Sequence, residues 1–158
     1  MIRLICPDDH QQILAIAAST EVFQPHELAT LETVLDDYFA SCEDEFGHRA
    51  WVLIETHLPV GFVYLAPVVM TDQTWELWWI AVSSSHQGRG YGRRLLTHAE
   101  QAARDAGGRL LLIETSSLPH YQSTWQFYHR NGYAHVAEVP DFYADGDNQR
   151  IFWKRLRS

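Results

Sequence analysis

The residues best equipped for chemistry lie between Trp75 and Tyr133. Gln87-Gly88-Arg89-Gly90-Tyr91-Gly92 separates an apolar run, Trp75 to Val82, from an amphipathic run, Arg93 to Ala106. A glycine-rich turn that opens a helix presents backbone N–H groups, and the helix dipole there favours negative charge. Arg89, Arg93 and Arg94 stand in or just after the turn. The combination suits a polyphosphate ligand. Glu76 is the second candidate. It is a carboxylate inside an otherwise apolar strand, where burial raises its hold on a proton and makes it a candidate general base.

These residues must be held by regular elements. The run before the turn reads as a strand, Thr74 to Val82, apolar on both faces and so expected to be central and covered. The run after it reads as a helix with Leu95, Ala99, Ala102, Ala103 and Ala106 on one side, ended by Gly107-Gly108. Arg109 to Thr115 is the next strand. A crossover of this length implies a parallel strand pair with a right-handed connection. Upstream, Arg3 to Cys6 is a short strand. Pro7-Asp8-Asp9 starts a helix with Ile13, Leu14, Ile16 and Ala17 on its apolar face. A second helix runs from Pro25 or His26 to about Phe39, and Ser41 to Gly47 is a polar, acidic loop. Trp51 to Glu55 and Val60 to Ala66 are strands joined by a turn at Thr56 to Pro59, with Pro67 ending the second. Downstream, Ser123 to Asn131 is a helix. Tyr133 to Val139 and Gln149 to Leu156 are strands, connected through Pro140 to Asn148 with Asp145-Gly146 as the turn signal. The order is βααβββαβαββ, expected to form a single domain over residues 1–158.

Composition narrows the function. A chain of 158 residues with 46% hydrophobic content and six tryptophans builds one real core. A net charge of −8 disfavours nucleic acid as partner. The start, Met1-Ile2-Arg3-Leu4, lacks the apolar run of a signal peptide, and no stretch approaches a membrane span. Cys6 and Cys42 have no metal or redox spacing, so a reducing cytoplasm fits best. The nine histidines are dispersed without ligand spacing, and no metal site is expected.

The turn invites two familiar readings that fail. The dinucleotide fingerprint G-x-G-x-x-G needs a third glycine where Arg93 stands. Ser83 to His86 also make the turn too long, although Glu114 could mimic the ribose-binding acid. The nucleotide P-loop fails because no Gly-Lys-Ser/Thr follows. Gln87-Gly88-Arg89-Gly90-Tyr91-Gly92 instead resembles the Q/R-x-x-G-x-G/A motif of the GNAT superfamily of N-acetyltransferases. Glu76 to Val82 stands where that family places its splayed fourth strand. Phe127-Tyr128-His129-Arg130-Asn131-Gly132-Tyr133 resembles the F/L-Y-x-x-x-G-F/Y segment of its last helix, and the element order agrees over nearly the whole chain.

The resemblance implies an α/β (α+β) fold, with a mixed, mostly antiparallel sheet and a central splayed parallel pair flanked by helices. It implies acetyl-coenzyme A as co-substrate and no metal. Carried over, backbone N–H groups from Gln87, Gly88, Arg89, Gly90, Tyr91, Gly92 and Arg93 cradle the pyrophosphate. Ile80, Ala81 and Val82 offer a strand edge to the pantetheine arm, and the N–H of Val82 or a neighbour polarises the thioester carbonyl. Glu76 matches the glutamate that some members use as base; a water chain is the other route for that proton. Tyr128 matches the tyrosine that can protonate the leaving thiolate. Where many members carry an asparagine seven residues before this tyrosine, the chain has Tyr121, which leaves that pantetheine contact in doubt.

Asp141-Phe142-Tyr143-Ala144-Asp145-Gly146-Asp147 resembles a D-F-Y-x-x-G-D segment of some bacterial members, in which Tyr143 would shape the acceptor site. The expected function is transfer of an acetyl group to a primary amine by direct attack, since neither cysteine lies near the donor site in sequence. The acceptor is a small molecule or a protein or peptide amine, and a homodimer is compatible. The rival class is an acyl-coenzyme A sensor without turnover; a third reading, a dinucleotide oxidoreductase, predicts retention of a nicotinamide cofactor and no coenzyme A binding.

Overall fold

The computed structural model describes residues 1–41 and 46–157. Cys42 and most of the acidic loop expected at Ser41 to Gly47 lie outside the described residues. Among those described, the order is β1 (Ile2–Leu4), α1 (His10–Ser19), α2 (Pro25–Ala40), β2 (Arg49–Glu55), β3 (Leu58–Pro67), β4 (Thr74–Val82), α3 (Tyr91–Asp105), β5 (Leu110–Ser116), α4 (Gln122–Arg130), β6 (Ala134–Ala144) and β7 (Asp147–Arg155). This is the expected βααβββαβαββ. The strands follow the order β1-β2-β3-β4-β5-β7-β6 in one mixed sheet. No helix among the described residues is long and apolar enough to cross a membrane. The chain groups into two compact units, Met1–Pro67 with Trp79–Ala99, and Val68–Trp78 with Glu100–Ser158.

In the first unit, β1, β2 and β3 form an antiparallel meander. Alternation sorts its side chains to two faces. Val52, Phe62 and Tyr64 meet Ile13, Ile16 and Ala17 of α1 and Leu31 and Leu35 of α2. Trp51, Leu53 and Val63 point the other way and are buried, as are Leu95, Leu96 and Ala99 of α3. The ring of Trp51 meets that of His98, edge to face, at 5.0 Å. Helix α2 starts where its sequence says it should: Pro25 takes the first position, and the Gln24 N–H donates to Glu27 Oε2 at 2.8 Å. The expected helix at Pro7 begins instead as a single 3₁₀ turn, Pro7–Asp9, before α1. Arg3 Nη1 and Nη2 donate to the Asp9 carboxylate at 2.7 and 2.9 Å, which ties β1 to that turn.

Two hairpins are longer than expected. Strands β2 and β3 are joined at Thr56 and His57, with φ of +52° and +70°, not by a turn reaching Pro59. Neither residue is a glycine or asparagine, the usual signature of so tight a turn. Strand β6 runs on to Ala144 where a loop from Pro140 was expected. The Asp141 N–H donates to Asn148 Oδ1 at 2.9 Å, and Asp141 Oδ1 accepts from the Gly146 N–H at 2.8 Å. Side chains therefore supply the bonds that the bulged ladder loses between Val139 and Ala144.

In the second unit, β5, β7 and β6 form an antiparallel group, and β4 pairs with β5 in parallel. That parallel ladder runs from Thr74↔Leu110 to Leu77↔Ile113, while β4 continues to Val82 and β5 to Ser116. This ladder is the central parallel pair of the expected fold class. Trp75, Leu77, Leu111, Ile113 and Phe152 bury one face of the sheet. The prediction that β4 is covered on both faces holds poorly on the other: Trp78 is 39% exposed. Lys154 Nζ donates to Glu100 Oε1, Glu100 Oε2 and the Asn131 carbonyl, each at 3.0 Å, and the Tyr133 hydroxyl donates to Glu100 Oε1 at 3.2 Å. A carboxylate buried to this degree is tolerated because cation and hydroxyl satisfy it together.

Candidate functional site

The predicted residues fall into two groups, one in each unit. Ile80, Ala81, Val82 and the whole turn from Gln87 to Arg93 belong to the first. Glu76, Tyr128 and Tyr143 belong to the second.

The turn is built in steps. Strand β4 ends as the Ser83 N–H donates to the Val60 carbonyl of β3 at 2.8 Å. A 3₁₀ turn at Ser84–His86 follows, held by the His86 N–H on the Ser83 carbonyl and by Ser19 Oγ accepting the Ser84 N–H. Gln87 Nε2 then donates to the Val82 carbonyl at 3.1 Å, folding the turn back on the strand end. Gly88 and Gly90 sit at φ of +78° and +79°, and a Cβ on either would meet no atom within 4 Å. Here glycine answers the backbone angle, and the space above it is open. The Arg94 N–H bonds the Gly90 carbonyl at 3.1 Å, so α3 starts here. The N–H groups of Tyr91, Gly92 and Arg93, in its first turn, have no partner within the helix.

Strand geometry also sorts the donors of β4. Successive peptide groups point to opposite strand edges. Because the Ser83 N–H is spent on β3, the N–H and carbonyl of Val82 face the edge away from β3. The carbonyl there takes the Gln87 amide.

Gly61, absent from the predicted set, positions this end of the strand. A Cβ at Gly61 would lie 2.9 Å from Leu95 Cδ1 and 3.2 Å from the Ala81 carbonyl oxygen. Its lack of a side chain lets the first turns of α3 close onto β3 and β4. Arg89 is half exposed and donates to Glu55 Oε2 at 3.4 Å; His86 Nε2 stands 3.5 Å from the same oxygen. Glu55 was not legible as a partner, because 34 residues separate it from Arg89. Arg93 and Arg94 are exposed, and the Arg94 guanidinium lies 5.7 Å from the Tyr91 ring centre.

In the second unit Glu76 stands on one face of the sheet, opposite Leu112 of β5. Glu114 is two residues on, so its side chain emerges on the same face. The Glu114 carboxyl and the Trp78 side chain are near enough to act on Glu76. Burial pushes the Glu76 carboxyl up; Glu114 beside it pushes further, Trp78 opposes, and the result is about 7. Glu114 itself is exposed. Sequence reasoning met Glu114 only as a ribose-binding acid in a rejected fold; its partnership with Glu76 depends on strand register.

Tyr128 is buried, at 3% exposure, among Phe127, Tyr133 and Phe152 with ring centres 5.6, 5.9 and 5.7 Å away. Burial raises its hydroxyl pKa, so it stays protonated. Phe152 pairs with Ile113, while Ile151 pairs with Glu114. Tyr128 and Glu76 therefore lie on opposite faces of the sheet.

Tyr143 is 46% exposed on the β6 bulge and meets Phe142 edge to face at 4.9 Å. Of the nearby aspartates, Asp141 caps the Gly146 turn, and Asp147 accepts from Ser116 Oγ and the Ser117 N–H. Their carboxylates are occupied in holding the hairpin. Tyr121, at the position of the family asparagine, is buried, its ring tilted against that of His120.

A family model described as the acetyltransferase (GNAT) family matches residues 12–133. Among solved structures, a GNAT-family protein from Desulfovibrio desulfuricans is 29% identical, with a TM-score of 0.94 over 99% of both chains. An aminoglycoside 6′-N-acetyltransferase in complex with coenzyme A is 18% identical, with a TM-score of 0.78 over 100% of this chain and 98% of that one. YncA from Salmonella typhimurium, with acetyl-CoA, is 18% identical, with a TM-score of 0.77 over 100% and 94%. At this identity the last two speak for the fold alone. No curated protein matches the chain at a significant level.

Proposed function

The chain belongs to the GNAT acetyltransferase family, and from that premise we propose that it moves an acetyl group from acetyl-coenzyme A to a primary amine by direct attack. The observation that carries this reading is the open cradle at the start of α3. Gly88 and Gly90 leave room above a backbone whose next N–H groups have no helical partner. A phosphate chain fits such a surface, and Arg89, Arg93 and Arg94 stand close in sequence to bind its oxygens. Coenzyme A would supply the activated thioester. Structures of the aminoglycoside enzyme and of YncA contain coenzyme A and acetyl-CoA.

The chain's own groups then divide the work. The Val82 N–H polarises the thioester carbonyl and stabilises the oxyanion that follows, an interaction that strengthens as charge develops. An alkylammonium with a pKa near 10.4 must give up a proton, at a cost of about 4–5 kcal/mol at neutral pH. Glu76, with its pKa raised to about 7, takes that proton. The C–N bond forms and the C–S bond breaks. A thiolate resembling that of cysteine, with a pKa of about 8.5, is less basic than a buried tyrosine. Tyr128 therefore serves the leaving sulfur as a hydrogen-bond donor, without full proton transfer. Tyr143 and the β6 bulge border the acceptor, which is a small molecule or a peptide amine. The setting is the cytoplasm, which suits two cysteines without a pairing pattern.

The test is thiol release from acetyl-coenzyme A with a panel of amines, beside calorimetric binding of coenzyme A. Release with at least one amine is expected. Binding without release for every amine would make the chain a sensor, and no binding of coenzyme A would overturn the reading altogether.

A further inference from the structure

Strand β6 is open to solvent along its whole length. It stands last in the strand order, so among the described residues it pairs with β7 on one edge and with no strand on the other. Every residue from Ala134 to Ala144 is exposed. Val136 and Phe142 are each 54% exposed, and Val139 is 39% exposed. At 3.3 Å per residue the strand spans about 36 Å. A long edge that combines outward peptide groups with apolar side chains is a template for another strand.

We propose that the outer edge of β6, from Ala134 to Val139, is the interface with a second copy of this chain, the two strands lying antiparallel across a two-fold axis. The stretch is complementary to its own reverse. With the axis between Val136 and Ala137, Ala134 meets the partner's Val139, Val136 meets the partner's Ala137, and His135 meets the partner's Glu138. Apolar residues face apolar residues, and the single imidazole faces the single carboxylate. Within one chain His135 Nε2 already stands 3.6 Å from Glu138 Oε1, so the same pairing can form across the axis. Glu138 also accepts from Asn148 Nδ2 at 2.7 Å and from Arg150 Nε at 3.0 Å. Two copies therefore approach here without opposing bare carboxylates, although each carries a net charge of −8.

The shape of the strand limits the contact to this stretch. Val136 is the extra residue where the register with β7 shifts between His135 and Ala137, which leaves its side chain without a place on β7. Pro140 has no N–H to donate, and the register shifts again between Val139 and Ala144. A straight ladder past Val139 is therefore ruled out. Backbone bonds before Pro140 would set the register, and the exposed side chains on both faces would supply the buried area. A two-fold contact uses the same edge on both copies and closes, leaving no strand free for a third.

The test is sedimentation velocity of the full chain over a hundredfold range of concentration. It compares wild type with Val136→Lys, Val139→Lys and a control, Val69→Lys, which replaces a residue 82% exposed outside the strand. Wild type and the control are expected to sediment as dimers at the higher concentrations. The two strand variants should stay monomeric or dissociate about tenfold more readily, because each sets an ammonium in the contact. Far-UV circular dichroism like that of wild type shows that the variants fold. Hydrogen exchange needs no variant: the backbone amides of Ala134 to Val139 should exchange more slowly as wild-type concentration rises. Ala137→Cys, beside the axis, should on oxidation give an intermolecular disulfide beyond any that the wild-type chain forms. A monomer at every concentration overturns the proposal and leaves the edge to an extended strand of another protein. A dimer that survives both strand variants, with β6 exchange unchanged by concentration, overturns it as well, because its interface lies elsewhere.

Discussion

Replacing Glu76 by glutamine is expected to stabilise the fold above neutral pH while removing most of the turnover. The carboxyl is raised from an ordinary 4.5 to about 7, first by burial and then by Glu114. The sign follows from proton binding. Between these two values the folded chain holds a proton that the unfolded chain has lost, so stability falls as pH rises from 4.5 to about 7 and then levels off. At 1.36 kcal/mol per pH unit the ceiling is about 3.4 kcal/mol. Glu76 keeps partial access to water, and screening brings the expected effect down to about 1–2 kcal/mol. A glutamine of the same shape never ionises and escapes the loss. Urea unfolding of both proteins over a pH series reads the difference directly: near zero in acid, growing through the window and constant above it. In the amine assay, loss of a general base should cost roughly a hundredfold or more. Parallel stability curves across pH would refute the reasoning, because Glu76 would then meet water equally in both states.

The other predictions concern the cradle, the leaving group and the core. Gly90→Glu should abolish coenzyme A binding in calorimetry, since it puts a carboxylate where phosphate should lie and forces a side chain onto φ +79°; wild-type affinity would remove the turn from the mechanism. Glu55→Gln frees Arg89 and His86 and should tighten coenzyme A binding at low salt by about 1 kcal/mol or less, with no gain if Arg89 does not reach phosphate. Tyr128→Phe should leave the KM values in place and lower kcat roughly 10- to 100-fold, the worth of one hydrogen bond to a developing anion; unchanged turnover would return Tyr128 to the core. Lys154→Met leaves the buried Glu100 carboxylate with Arg104, 3.8 Å away, as its nearest cation. It should lower stability by about 3 kcal/mol, and thermal unfolding of Lys154→Met combined with Glu100→Gln should recover much of that loss.

What could be read from the sequence was local. The glycine turn, the helix that follows and the limits of β4 are written in neighbouring residues: an apolar run, a break at Gln73 with φ +60°, and glycines where the backbone must turn left-handed. The unusual setting of Glu76 was readable for the same reason, since apolar neighbours on one strand foretell burial. The partners were not. Glu114 reaches Glu76 only because the register sets Leu112 beside it, and register is fixed by packing far from either residue. Glu55, at the end of β2, meets Arg89 of the turn after β4, 34 residues on. The far end of β6 passed for a loop because Pro140 and Asp141 break the pattern, and the repair comes from the Asn148 side chain across the hairpin.

The placement of the two proposed proton-handling groups bears on the order of chemistry. Glu76 and Tyr128 stand on opposite faces of the same sheet, because Ile151 and Phe152 are neighbours on β7 and must point apart. An acyl-enzyme route would let one group serve both half-reactions, acting as acid and then as base on a single face. Direct attack makes a different demand. The amine loses its proton while the sulfur gains negative charge, so base and donor must act together and must not quench each other. A carboxyl near neutrality beside a tyrosine hydroxyl would do so, by hydrogen-bonding it. On the proposed reading, setting them on opposite faces leaves Glu76 to take a proton and Tyr128 to meet the thiolate, as a one-step transfer between two bound substrates needs.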